Sequence, residues 1–148
     1  MDAHIEGVRV AESPSGVVAV VTLGVEGEDD VLPIFVGFEE ATSIARGLDA
    51  VDIGRPLTHD LLLDVMEELG GRIDRVAVTA LEEGTYIADL HVVTPRDEAV
   101  VDARPSDSLA LAARTNVAID IDEDVFEAGR EPLDAYTHLE DLREVIGA

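Results

Sequence analysis

The chain has 148 residues, 47% of them apolar, and carries a formal charge of −23 from 10 basic and 33 acidic side chains. That length can bury one core, and the apolar content excludes a disordered composition in spite of the charge. The absence of cysteine excludes a disulfide framework, a thiolate metal site and a cysteine nucleophile.

His4 to Val10 alternate weakly, Ala11 to Gly16 read as a turn, and the β-branched run Val17 to Leu23 completes a hairpin. A second turn at Gly27 to Asp30 leads into a short strand, Val31 to Val36, in which Pro33 points to an edge or a bulge. Ala41, Ile44, Ala45 and Leu48 keep helical spacing and predict a helix over Glu39 to Leu48. Asp49 to Gly54 is read as a linker. The next helix is expected to be capped by Thr58, with Leu61, Leu62, Val65, Met66 and Leu69 on its apolar face and Gly70-Gly71 at its end. Ile73 to Leu81 and Thr85 to Val93 form a hairpin about Glu82-Glu83-Gly84. Glu98 to Ala103 is a strand, and Arg104-Pro105 ends it. Ser106 is read as the cap of a helix with Asp107 in its first turn, where a negative charge suits the backbone dipole. Ser108 to Ala113 is apolar nearly all the way round, which predicts a buried helix. A short strand, Val117 to Ile121, one or two helical turns ended by Gly129, and a terminal helix over Leu139 to Ile146 follow. Strands interrupted by helices, with hairpins between, predict an α+β fold with a mostly antiparallel or mixed sheet. Residues 1–129 are read as the domain and 130–148 as a C-terminal extension. Pro33 to Ala41 entering one helix overlays Val100 to Ser108 entering another, with Glu40 on Asp107, as in a duplicated strand-to-helix unit.

Every basic residue is arginine, and so acidic a surface suits molar salt, where the Debye length is about 3 Å and self-repulsion no longer opposes compaction. No basic stripe for nucleic acid is visible, although at such salt a stripe would gain little. No signal peptide or membrane-length apolar run is seen, so a cytoplasmic protein without a membrane partner is expected. Asp120, Asp122, Asp124 and Glu131 keep calcium-loop spacing, but Val125 stands where that loop needs glycine, and they are read as a solvated face. His4, His91 and His138 are read as structural. No Ser-His-Asp order, phosphate-cradling glycine loop or dinucleotide fingerprint is recognised.

Three blocks, Leu32-Pro33-Ile34-Phe35-Val36-Gly37 with Glu39-Glu40-Ala41, Arg55 to Leu61, and Val101 to Ala112, stand in one order and spacing. Together they resemble the bifunctional nuclease (DNase/RNase-like) domain family of prokaryotes and plants, over about Val8 to Gly129. The resemblance implies an α+β domain, a homo-oligomer and phosphodiester hydrolysis in DNA or RNA. A metal-dependent nuclease needs carboxylates converging on Mg²⁺ or Mn²⁺. The blocks offer Asp107, Asp60, His59 and Glu40 as catalytic residues, with Asp107, Glu40 and Asp102 as metal ligands. Arg104 and Arg55, with Ser106 and Thr58 at the adjoining helix starts, are expected to hold the phosphate. The alternative is a non-catalytic acidic oligomer that binds a small anion or a protein partner.

Overall fold

The computed structural model describes residues 1–50 and 54–146, so positions 51–53 of the expected linker lie outside it. Two antiparallel meanders build the sheet. The first consists of β1 (Asp2–Ser13), β2 (Gly16–Val25) and β3 (Asp30–Val36); the second of β4 (Arg72–Glu82), β5 (Thr85–Val93) and β6 (Glu98–Ala103). Between them runs β7 (Ala118–Ile121), parallel to β4 and antiparallel to β1. Two short strands, β8 (Glu131–Pro132) on β3 and β9 (Glu140–Asp141) on β1, complete a mixed sheet of nine described strands, and the fold is α+β.

Local chemistry accounts for the hairpins. In the β4–β5 turn Glu83 and Gly84 both have positive φ, 51° and 80°, as a tight turn matched to strand twist requires. Beyond Val31, β3 has no described partner on its outer side, and Pro33 costs no ladder bond there. The β1–β2 register shifts between Ile5 and Gly7. At this irregularity Glu6 takes hydrogen bonds from Arg9 at 2.7 and 3.1 Å and from the Thr22 hydroxyl at 2.6 Å. Arg9 is the main cause that holds the Glu6 carboxyl below its usual range.

Each meander is followed by a helix: α1 (Phe38–Asp49) after β3 and α3 (Pro105–Thr115) after β6. Their contact is close because it is lined by small residues. A Cβ placed on Gly47 would stand 3.0 Å from the Ala113 Cβ and 2.8 Å from the Arg114 guanidinium. As its composition predicts, α3 is sunk in the core, with Leu109 and Ala110 fully buried and Ser106 and Ser108 buried beside them. Leu23, Leu32, Ile44, Ile121 and Phe126 close the same core; burying each such side chain is worth about 1.5–3 kcal/mol.

Three expectations need correction. The helix α2 (Thr58–Glu68) starts from Leu57, not from a Thr58 cap, and α3 starts from Arg104, with no hydroxyl capping by Ser106. The apolar face of α2 points outward. Leu61, Leu62, Val65 and Leu69 are exposed, and only Leu63 and Met66 pack on the core. Apolar residues cover so much of this helix that periodicity alone could not choose which stripe faces inward.

The expected C-terminal extension adheres to the domain. After α4 (Glu123–Gly129), Arg130 pairs with Asp30, Glu28 and Glu127, and β8 and β9 join the sheet. Leu142 of α5 (Leu142–Ile146) is fully buried. Among the described residues no helix is long and apolar enough to cross a membrane.

Candidate active site

The sheet hands the chain to α1 and α3 in the same manner. Gly37 and Arg104 are extended N-caps, and the third helical residue after each is an acid, Glu40 in α1 and Asp107 in α3. Both carboxylates lie in a first turn, where the helix dipole favours them. Arg104 reaches both. Its Nε and Nη2 donate to Asp107 at 3.0 and 3.3 Å, and its Nη1 lies 3.8 Å from Glu40.

α2 brings the third component. His59 Nε2 lies 2.9 Å from Asp107 Oδ1, and His59 Nδ1 lies 2.6 Å from the Ser43 hydroxyl of α1. An ionised carboxylate only accepts, so Nε2 carries a proton; in the neutral ring Nδ1 then accepts, and the Ser43 hydroxyl donates to it. Arg114 supports this polarity from the other side. Its Nη2 donates to Ser43 Oγ at 3.2 Å, its Nη1 to the carbonyls of Ser43 at 3.0 Å and Ala110 at 2.8 Å, and its Nε to Asp60 at 2.7 Å. Asp60 also accepts the Leu57 N–H at 3.1 Å. Burial opposes ionisation of Asp107, but hydrogen bonds from Arg104 and His59 outweigh it and hold the carboxyl below its ordinary range. Asp60 follows the same balance, with Arg114 and the Leu57 N–H prevailing over burial.

An open cleft of about 480 Å³ lies over this network, lined by Glu40, Ser43, Arg46, His59, Arg104 and Asp107 among others. A second, of about 390 Å³, lies on the other side of the Arg104–Glu40 contact and is walled by Phe35, Tyr86 and Ser106. The two clefts share Glu40 and Arg104.

Of the residues singled out in the sequence, Asp107, His59, Glu40 and Arg104 come together here, and Thr58 stands exposed at the rim. Asp60 is engaged by Arg114, one step behind the cleft. Ser106 is buried and faces the second cleft. Arg55 is exposed, lines neither cleft and makes no ion pair with a described residue. Asp102 is exposed on β6, opposite Asp89 in the ladder. The expected ligand set of Asp107, Glu40 and Asp102 does not fit a divalent ion. Glu40 and Asp107 are both turned on Arg104, and no three His, Asp or Glu side chains among the described residues converge on a point.

Three residues of the site carry no signal that was read in the sequence. Ser43 and Arg114 complete the network, and Arg46 lines the cleft without an ion pair to a described residue. No Ser-His-Asp order is recognised in the sequence, yet Ser43, His59 and Asp107 form a hydrogen-bonded chain in that order. Helical spacing offered one clue, since Ser43 and Arg46 follow Glu40 at intervals of three and share its face.

A family model described as the bifunctional nuclease domain matches residues 21–134. An uncharacterized protein of Mycobacterium tuberculosis is 40% identical over 124 residues, 84% of this chain and 73% of that protein. Bifunctional nuclease 2 of Arabidopsis thaliana is 27% identical over 108 residues, 71% of this chain and 33% of that protein. Bifunctional nuclease 1 of Oryza sativa subsp. japonica is 26% identical over 106 residues, 70% of this chain and 32% of that protein. The chain thus corresponds to about a third of each plant protein.

Proposed function

The chain belongs to the bifunctional nuclease domain family, and from that premise we propose that the cleft over His59 and Asp107 hydrolyses phosphodiester bonds of DNA or RNA. The observation that carries this reading is the His59–Asp107 pair, 2.9 Å apart, beside the Arg104 guanidinium in one open cleft. His59 supplies the proton-transferring group, and Asp107 orients the ring and stabilises its charged form. Arg104 keeps Nη1 only loosely engaged by Glu40, at 3.8 Å, so this donor can turn to a phosphate oxygen. Arg46 brings a second guanidinium to the same space. Because the carboxylates do not form a divalent-ion site, no step is assigned to Mg²⁺ or Mn²⁺.

Two further features belong to the reading. The acidic, lysine-free surface fits work in molar salt, where a polyanionic substrate is no longer repelled at long range. The exposed apolar face of α2 supports a homo-oligomer, with a second copy covering Leu61, Leu62, Val65 and Leu69.

The test is cleavage of supercoiled plasmid and of single-stranded RNA in molar KCl, with added Mg²⁺ or Mn²⁺ and with excess chelator. Wild type is expected to cut; His59→Ala should lose at least about 100-fold, the usual contribution of a general acid–base group, and Arg104→Ala about 100-fold or more, as for loss of one donor to a developing charge. Nucleic acid bound but left intact would transfer the site to the non-catalytic, anion-binding reading. Cutting that is unchanged in both variants would remove the site from the reaction.

A further inference from the structure

Resting on the phosphodiesterase reading, we propose that Ser43 is the nucleophile of this site and that the reaction passes through a covalent phosphoseryl enzyme. A histidine can act as base only toward a group that reaches one of its nitrogens. Both nitrogens of His59 are engaged, Nε2 by Asp107 and Nδ1 by the Ser43 hydroxyl at 2.6 Å. No nitrogen is left for a water, and the proton His59 is placed to take is that of Ser43.

The position of Ser43 argues against a merely structural hydroxyl. In a helix interior, serine and threonine ordinarily bond back to a carbonyl of the preceding turn. Thr42 does this, donating to the Glu39 carbonyl at 2.7 Å. Ser43 instead points across to another helix, donates to an imidazole and accepts from a guanidinium that is 8% exposed. The imidazole, 15% exposed, and the half-buried Ser43 both line the open cleft. Nucleophile, base and orienting acid thus all line the one cleft, with Arg46 and Arg104 at hand for the oxygens of a phosphate. Arg114 is a positioning residue, since its donation to Ser43 Oγ turns the hydroxyl hydrogen toward His59.

The chemistry balances with water as the sole co-reactant. Ser43 Oγ bonds to phosphorus as its proton passes to His59 Nδ1. The phosphorus–oxygen bond to one ester oxygen breaks, and that oxygen leaves as an alcohol with the proton from His59. Water then attacks the phosphoserine, gives a proton to His59 and releases a phosphate monoester. The Ser43 oxygen recovers its proton from His59.

The experiment treats the full chain in molar KCl with a fluorophosphonate and follows adduct formation by intact mass and peptide mapping, with nucleic-acid cutting measured in parallel. One adduct is expected, on Ser43, absent in Ser43→Ala and formed at least about 100-fold more slowly in His59→Gln. Ser43→Cys checks the fold and should be modified at the same peptide by a thiol-directed reagent. Wild type that forms no adduct, or Ser43→Ala that cuts nucleic acid at the wild-type rate, overturns the nucleophile assignment and leaves the phosphodiesterase reading standing. A Ser43 adduct in a protein that cuts no nucleic acid sinks the nuclease reading and supports the nucleophile on another ester.

Discussion

Replacing Arg114 by methionine tests whether the network behind the cleft holds the helices together as well as the chemistry. The guanidinium is 8% exposed and links α3 to α1 and α2 through the Ser43 carbonyl and Asp60. Methionine keeps much of the volume and removes every donor. Truncating one partner of a fully buried ion pair costs about 3–5 kcal/mol. Asp60 is 40% exposed and keeps the Leu57 N–H, so water recovers part of that loss and about 2 kcal/mol remains. For a domain of this size each kcal/mol moves Tm by about 2–4 °C, so the expected fall is roughly 4–8 °C. Calorimetry in molar KCl on Arg114→Met, Asp60→Asn and the double variant reads the coupling directly, and about 1 kcal/mol of non-additivity is expected. Arg114→Lys should fall between, because an ammonium keeps the charge and loses the fork. A single variant melting within about 1 °C of wild type, or strictly additive effects, would refute the claim that this arginine ties the three helices.

The remaining expectations concern charge and surface. Since Asp107 has a depressed folded pKa, its contribution is fully present above the unfolded carboxylate value of about 4 and is lost as pH falls through the folded value. Melting scans should therefore be level from about pH 7 to 5 and fall below about 4, and Asp107→Asn should flatten that fall; an equally steep fall in the variant speaks against the pairing. With a charge of −23, Tm should rise steadily between about 0.1 and 2 M KCl, whereas full stability in dilute buffer would count against the salt-adapted reading. On the outer face of α2, Leu62→Asp should lower the mass found by light scattering if that face joins two copies, and an unchanged mass of a wild-type oligomer would place the interface elsewhere.

What was legible in the chain, and what was not, divides along local and long-range causes. The β4–β5 hairpin was readable because alternation and the Glu82-Glu83-Gly84 turn are written in neighbouring residues. The burial of α3 was readable because a helix of Ser, Leu and Ala has no polar face to show to water. Which stripe of α2 turns inward was not, since Leu63 and Met66 are chosen by the shape of α3 and β4 beneath them. Asp107 and His59 could be singled out, because each sits by a helix start that follows Arg-Pro. Ser43 could not. It is one hydroxyl inside a helix, and its partners lie 16 and 71 residues away, at His59 and Arg114.

The two Arg-Pro pairs show how little a shared dipeptide determines. Arg104 is itself the N-cap of α3, so its side chain rises directly beside Asp107 in the first turn. Arg55 has the same neighbour, but α2 begins only at Thr58, and the intervening Pro56 and Leu57 carry the guanidinium away from the helix end. A proline fixes the backbone just before it and leaves open how many residues pass before the first helical turn closes. The His59–Asp107 pair was thus fixed by positions inside first turns, and the placement of Arg104 by the register of its cap. The second cation of the cleft was set by neither. Arg46 lines the cleft from α1, one residue before Gly47, where α1 lies close against Ala113 of α3.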